Sequence, residues 1–186
     1  MKHRNYIDFL NAIEKLKCNT RHSWTSSGRQ ESVAEHSWRL AVMAILCADE
    51  YPELDMNKVI KMCLIHDFGE AVTGDIPAFI KTAQNESDER DAVRKMLSEL
   101  PQEIGNELLA LFDEMNARET PESKLFKSLD NLEALISHNE ADISTWLPNE
   151  CELNLVYGTE NCEWSEWTRN LREQIKQDSI EKISKQ

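Results

Sequence analysis

Residues 32–48 read SVAEHSWRLAVMAILCA, and this stretch gives the clearest indication of the fold class. Ser32 is followed three residues later by Glu35, the pattern of a capping box in which each side chain bonds the other's backbone amide at a helix start. From Leu40 to Ala48 every residue is apolar, which is typical of a helix buried on all sides. The stretch therefore predicts a central α-helix that begins at Ser32.

Helical spacing of apolar residues extends to both sides of this stretch. Apolar residues recur at intervals of three and four, and alternating β-branched runs are absent. Residues 69–77 contain two glycines and a proline, which predicts a loop or a broken helix. Further helices are predicted over 6–16, 55–67, 93–97, 101–115, 120–135 and 164–175. We predict a single all-α domain over 1–186, a bundle of about six to eight helices in which 142–186 form an irregular segment and a C-terminal helix.

Composition excludes several classes of partner. The 186 residues include 21 Lys and Arg against 34 Asp and Glu, a net charge of −13, which argues against a polynucleotide partner. The apolar run 40–48 is far shorter than the ~20 residues that span a bilayer, so no membrane partner is expected. The five cysteines form no Cys-x-x-Cys pair, and no secretory signal is visible. These features predict a reducing, cytoplasmic location.

Two histidines and two aspartates are candidate metal ligands. His36 lies in the first turn of the capped helix, His66 and Asp67 lie near the end of another, and Asp130 lies in the middle of a third. Periodicity assigns all four to the core, where an unpartnered polar side chain is costly. Mixed imidazole and carboxylate sets bind divalent ions such as Mn, Co, Mg, Fe, Ni or Zn. The sequence predicts one such ion per subunit.

Two further carboxylates extend this site. Glu70 follows His66 by four residues, so a continuing helix would present both on one face. A carboxylate beside a metal-bound water can accept or orient its proton, which makes Glu70 the candidate catalytic base. Asp75 lies in the loop after Gly74 and could orient the water or protonate a leaving group. Each of these residues alone has an ordinary structural explanation, but their ordered combination favours catalysis.

The surrounding segments resemble a known family. They are RHSW at 21–24, ESVAEHS at 31–37, LIHDFGEAVTGDIP at 64–77 and KSLDNLEA at 127–134. In this order and spacing they resemble the HD-domain metal-dependent phosphohydrolases, and most closely the YfbR-like 5'-deoxynucleotidases. The resemblance covers residues 21–134 and leaves the segment after about 142 unmatched.

The resemblance implies a helical HD domain with one divalent ion, often in a homodimer. Its matching positions imply His36, His66, Asp67 and Asp130 as metal ligands and Glu70 as the catalytic carboxylate. They further imply a small nucleotide substrate, whose 5'-phosphate would contact Arg21 and whose sugar would pack on Trp24. The implied lining of the substrate pocket is Asp75, Ile76, Pro77 and Ala78.

Other functions stay open at this point. Another HD-domain phosphohydrolase is an alternative, acting on cyclic nucleotides, dNTPs or guanosine tetraphosphate. A second alternative is a non-catalytic helical interaction module that a metal only stabilises. Arg29 and Lys127 are further cations that could contact phosphate, but exposed cations are common, and neither is assigned to the site.

Overall fold

The computed structural model describes residues 1–76 and 80–185. Within these ranges eight helices have seven residues or more, and α4 and α9 are single turns. The helices are α1 (His3–Ile13), α2 (Val33–Leu46), α3 (Met56–Ile65), α4 (Glu70–Thr73), α5 (Ala83–Ser98), α6 (Gln102–Ala117), α7 (Pro121–Glu140), α8 (Glu150–Val156), α9 (Thr159–Cys162) and α10 (Glu166–Ser184). The all-α class and the predicted number of helices are confirmed.

The helix starts follow from local side-chain chemistry. The Ser32 hydroxyl accepts a hydrogen bond from the Glu35 amide at 3.3 Å, and the Glu35 carboxylate accepts one from the Ser32 amide at 2.9 Å. The predicted capping box at the start of α2 is therefore confirmed. Asp55 caps α3, and Thr120 caps α7 with a proline at its first position. Such caps satisfy amide groups that have no partner within the helix.

A small β-hairpin is the main feature that helical periodicity missed. Strand β1 (Thr20–Trp24) pairs antiparallel with β2 (Gln30–Ser32). The strands are short and polar, so they lack the alternating apolar pattern that marks a half-buried strand. Gly28 in the connecting turn has a φ of +84°, a left-handed conformation that glycine adopts without steric cost. The hairpin directly precedes α2 and carries Arg21.

Three helices form the centre of the protein. Helices α2, α3 and α7 pack on one another pairwise, and Leu40, Val59 and Leu129 are fully buried among them. Each such side chain contributes about 1.5–3 kcal/mol by leaving water. His36 lies in the first turn of α2, His66 directly follows α3, and Asp130 lies in the middle of α7. The packed core therefore fixes the relative positions of these candidate ligands.

Several predicted boundaries differ from the structure. The first helix ends at Ile13, and Leu16 lies in a 3-10 turn, Glu14–Lys17. Helix α5 begins at Ala83, well before the predicted 93, because its first turns are polar and exposed and give no apolar signal. In the C-terminal segment α10 packs on α7 and α8. Within the described ranges, no helix is both long and apolar enough to cross a bilayer.

Candidate metal centre and active site

The structure brings the four predicted metal ligands together. His36 Nε2 lies 3.1 Å from Asp130 Oδ1, and His66 Nε2 lies 3.0 Å from Asp67 Oδ2. Asp130 Oδ1 is also 3.6 Å from His66 Nε2. Ligand atoms of His36, His66 and Asp67 all lie within 4.8 Å of one another. Side chains from α2, the end of α3 and α7 thus converge on one point.

Both histidines present the same nitrogen to this point. His66 Nδ1 lies 2.9 Å from the Cys63 carbonyl oxygen, which can only accept a hydrogen bond. His36 Nδ1 bonds the Glu133 carboxylate. When each Nδ1 carries a proton, each Nε2 is left with a lone pair for a cation, the arrangement usual in protein metal sites.

Unpartnered atoms support a cation at this point. His66 Nε2 and Asp67 Oδ2 are buried and form no hydrogen bond, although they lie 3.0 Å apart. Burying such atoms without a partner is costly, and a divalent cation would satisfy both. Burial lowers the pKa of His36, but its hydrogen bonds to Asp130 and Glu133 outweigh burial and raise that pKa to about 9. A cation would therefore bind with release of the His36 proton. The donor set fits a divalent transition metal.

Glu70 lies beside the four ligands. It begins the single turn α4, is 4% exposed, and has a carboxylate oxygen within 4.8 Å of one on Asp67. Its Oε2 is buried without a hydrogen-bond partner. Burial raises the pKa of Glu70 to about 10, and the charges of Asp67 and Asp75 add to this effect. The Asn19 amide fixes the backbone of Glu70 through a 2.5 Å hydrogen bond to its carbonyl.

Asp75 and Arg21 complete the wall next to Glu70. Burial raises the pKa of Asp75, while Arg21 and a hydrogen bond from the His22 backbone act in the opposite direction. Arg21 projects from β1 and places Nη1 3.6 Å from Asp67 Oδ2. Its Nε is buried and lacks a hydrogen-bond partner. Nε also lies 3.8 Å from Glu31 Oε2, so Arg21 is a largely buried cation between Glu31 and the candidate ligand Asp67.

One cavity of about 710 Å³ is lined by six of the predicted site residues: Arg21, His66, Asp67, Glu70, Asp75 and Asp130. His36 is not in its described lining. The cavity volume is within the roughly 300–1,000 Å³ typical of small-molecule sites. Ile76 also lines the cavity, whereas Pro77 and Ala78 lie outside the described residues. Trp24 is not among the described residues of the cavity lining. It ends β1, three residues beyond Arg21, a separation of ~10 Å along a strand.

Two residues of α7 belong to the site although the sequence analysis did not assign them. Glu133 is fully buried and bonds His36 Nδ1 with one oxygen, while its Oε1 accepts a 2.6 Å hydrogen bond from Arg39. Lys127 lines the cavity and donates to Asp130 Oδ2 at 2.7 Å. Both lie three residues from Asp130, so helical spacing places them on its face and could have identified them. The sequence analysis left Lys127 out of the site, whereas in the structure its ammonium group bonds a candidate ligand. Arg29 instead pairs with Glu35 and does not line this cavity.

Comparison with known proteins assigns the chain to a family. The family model of the HD domain matches residues 13–172. This chain belongs to the HD domain family. The match includes all four candidate ligands, the hairpin and part of α10.

Several curated relatives of this HD-domain chain are named as 5'-deoxynucleotidases. The protein "5'-deoxynucleotidase HDDC2" of Dictyostelium discoideum is 32% identical over 146 residues, 73% of this chain and 77% of that protein. Its namesake from Bos taurus is 31% identical over 141 residues, 74% of this chain and 68% of that protein. A solved structure described as a predicted metal-dependent phosphohydrolase from Magnetospirillum magnetotacticum has a TM-score of 0.82 and 29% identity, covering 97% of this chain and 94% of that one. That solved structure shares the fold over most of the length of this chain.

Proposed function

We propose that this HD-domain protein is a metal-dependent phosphomonoesterase that converts deoxyribonucleoside 5'-monophosphates to deoxynucleosides and phosphate. The observation that carries the proposal is the convergence of His36, His66, Asp67 and Asp130 at one point of a cavity that also contains Glu70. The names of the curated relatives support the same substrate class.

The four convergent side chains are the proposed ligands of one divalent cation. When bound, such a cation polarises the phosphate and increases the acidity of a water molecule. Metal analysis of the purified protein would identify which of Mn, Co, Mg, Fe, Ni and Zn it binds. The cation's charge also favours the ionised form of the nearby Glu70.

Three side chains of the protein carry out the proton transfers and bind the phosphate. Glu70 accepts the proton of the attacking water, because its carboxylate lies beside Asp67 and has an oxygen without a partner. Arg21 binds the phosphate oxygens that do not react, since it is a largely buried cation beside Asp67 whose Nε forms no hydrogen bond. Asp75 donates a proton to the departing 5'-oxygen, a role that suits a carboxyl whose pKa burial raises.

Selection of the sugar and base stays a prediction. Ile76 lies in the cavity wall and supports the proposed pocket. Pro77 and Ala78 are proposed pocket residues that lie outside the described ranges. Contact between the sugar and Trp24 has no support from the cavity lining. A preference for deoxyribose is therefore tested directly by comparing substrates.

A phosphate-release assay tests the function. The metal-loaded protein should release phosphate from deoxynucleoside 5'-monophosphates and much less from ribonucleotides, 3'-monophosphates, cyclic nucleotides, dNTPs, guanosine tetraphosphate or DNA. His66→Ala should lose the metal, whereas Glu70→Ala should retain the metal and lose turnover. Preferential turnover of one of the other substrates would identify a different HD-domain phosphohydrolase. Failure of Mn, Co or Mg to restore any phosphate release after chelation would refute a catalytic role.

Self-association is a separate proposal from the surface of α2. Trp38, Ile45 and Leu46 are 63%, 57% and 78% exposed, although they are large and apolar. Trp38 and Ile45 are seven residues apart, so both lie on one face of the helix. We propose that this face contacts a second copy of the chain. Sedimentation should show a dimer that Trp38→Glu dissociates, and a monomeric wild-type protein would refute this.

Two further interpretations concern the chain as a whole. We propose that residues 1–186 form one HD domain, because α10 packs on α7 and α8 and so joins the segment 142–186 to the motif region. All five cysteines are free. Free cysteines, several of them buried, favour a reducing compartment such as the cytoplasm.

A further inference from the structure

The two oxygens of Asp130 have different partners. Oδ1 faces the histidines, 3.1 Å from His36 Nε2 and 3.6 Å from His66 Nε2. Oδ2 accepts a 2.7 Å hydrogen bond from Lys127 Nζ. The Lys127 side chain is 24% exposed and lines the cavity. Lys127 therefore touches a candidate metal ligand and also faces the space in which a substrate would bind.

Arg21 lies beside another candidate ligand. Its Nη1 lies 3.6 Å from Asp67 Oδ2, the oxygen that faces His66, and its Nε lies 3.8 Å from Glu31 Oε2. Arg21 and Lys127 thus lie beside two different aspartates of the cluster and line the same cavity. A divalent cation held by these aspartates would neutralise both carboxylates. The charge of Lys127 would then be available to a further anion, whereas Arg21 would keep Glu31 as its partner.

The proposed substrate carries more negative charge than Arg21 alone balances. A phosphate monoester carries close to two negative charges at neutral pH, since the second pKa of such a group is near 6. Arg21 shares its single positive charge with Glu31, so a second cation in the cavity would stabilise a dianion in this partly buried site. An unbalanced buried charge is strongly unfavourable.

Four further basic side chains line the cavity. Three of them form ion pairs with acids outside the four-ligand cluster: Lys81 with Glu89 at 2.5 Å, Arg90 with Glu86 at 3.8 Å and Arg94 with Asp113 at 3.0 Å. Arg118 is exposed at the left-handed C-terminal end of α6. Lys81 lies near the site, but its ion pair is with Glu89, whose carboxylate is within 4.8 Å of one on Glu70. Lys127 instead bonds a candidate metal ligand directly, which makes it the choice in the described lining for a second cation on the phosphate.

We propose that Lys127 is a second phosphate-binding residue, which together with Arg21 holds the phosphate dianion against the metal cluster. The assignment rests on the proposed phosphomonoesterase function, but it makes its own claim about the binding of phosphate. The hydrogen bond to Asp130 Oδ2 directs the ammonium group toward the cluster. Because an ammonium group is a compact charge, it can remain bonded to Asp130 and also donate to a phosphate oxygen.

The test compares Lys127→Met with Lys124→Met. Lys124 lies one turn earlier on α7 and is exposed, so its substitution makes the same change in net charge away from the cavity. Binding of inorganic phosphate to protein saturated with Mn²⁺ is measured by calorimetry, together with metal content and with kcat and KM for a deoxynucleoside monophosphate. Lys127→Met should weaken phosphate binding about 10- to 100-fold, as expected for loss of a hydrogen bond between charged groups. KM should rise in parallel, and Lys124→Met should change neither constant by more than about twofold.

Lys127→Arg serves as the second variant, because it keeps the charge and should recover most of the phosphate affinity. Unchanged phosphate affinity in metal-saturated Lys127→Met would overturn the proposal. So would loss of metal in that variant with normal phosphate binding once Mn²⁺ is restored, since Lys127 would then act only on Asp130. If Lys127→Met does not fold, Lys127→Gln replaces it, and unchanged phosphate affinity in metal-saturated Lys127→Gln would overturn the proposal equally. If the wild-type protein binds phosphate through Lys127 but hydrolyses no deoxynucleotide, the proposed function fails and the assignment of Lys127 stands.

Discussion

Glu70→Gln should change how the stability of the cation-free protein depends on pH. Burial raises the pKa of Glu70 to about 10, with Asp67 and Asp75 adding to the shift, against an ordinary value of 4.5. Between these two values the folded protein retains a proton that the unfolded chain releases. The folded state therefore loses stability as pH rises through this window, and below 4.5 the effect is absent. Glutamine carries no such proton and removes this contribution.

The size of the effect follows from proton linkage. One additional proton bound by the folded state lowers the free energy of unfolding by about 1.4 kcal/mol per pH unit. Between pH 6 and pH 8 the wild-type protein should therefore lose about 2.7 kcal/mol relative to Glu70→Gln. Glu70 is 4% exposed, so solvent screening reduces this figure little.

Urea denaturation of chelator-treated protein at pH 6, 7 and 8 measures this difference. The control is Glu119→Gln, which removes an exposed carboxylate in the connection between α6 and α7. The stability of Glu119→Gln should follow that of the wild type at each pH. Equal pH dependence of the wild type and Glu70→Gln would show that Glu70 is ionised in the folded protein and would refute the reasoning.

Two further substitutions test the surroundings of the site. Glu133→Gln should weaken divalent-metal binding about 10- to 100-fold, because a buried carboxylate on His36 Nδ1 orients the ring and increases its basicity. Competition with a fluorescent chelator measures the metal affinity. An unchanged affinity would mean that Glu133 has no influence on His36 as a ligand. Gly69→Ala should lower the free energy of unfolding by about 1–3 kcal/mol, because its Cβ would lie 2.4 Å from Glu89 Cγ and 3.0 Å from the Glu89 carbonyl oxygen. Urea denaturation measures this change as well, and wild-type stability would show that α5 moves aside at little cost.

The sequence was most informative where local chemistry repeats a simple pattern. The capping box at Ser32 and the helix starts at 55 and 120 were predicted, and the structure has a capped helix at each of these positions. Each depends only on residues three or four apart, so tertiary contacts are not needed to recognise it. The hairpin at Arg21 depends on the turn at Gly28 and on packing against α7, which a short polar segment does not reveal.

The sequence predicted the four candidate metal ligands but not all of their neighbours in the site. The convergence of His36, His66, Asp67 and Asp130 was expected, because each is a polar residue on a segment whose periodicity assigns it to the core. Lys127 has the polar character of an ordinary surface lysine, and only its spacing of three residues from Asp130 pointed to the site. Its place in the site depends on the geometry of Asp130 Oδ2 and of the cavity. Glu133 could have been identified by its spacing from Asp130, but its bond to His36 joins residues 97 positions apart.

The central claim is that two imidazoles and two carboxylates from separate helices bind one cation. Anomalous diffraction from crystals of the Zn²⁺-loaded protein tests it most directly. The account predicts one strong peak at about 2.0–2.2 Å from His36 Nε2, His66 Nε2 and an oxygen each of Asp67 and Asp130. A peak elsewhere, or one that leaves any two of these side chains uncoordinated, would contradict the account.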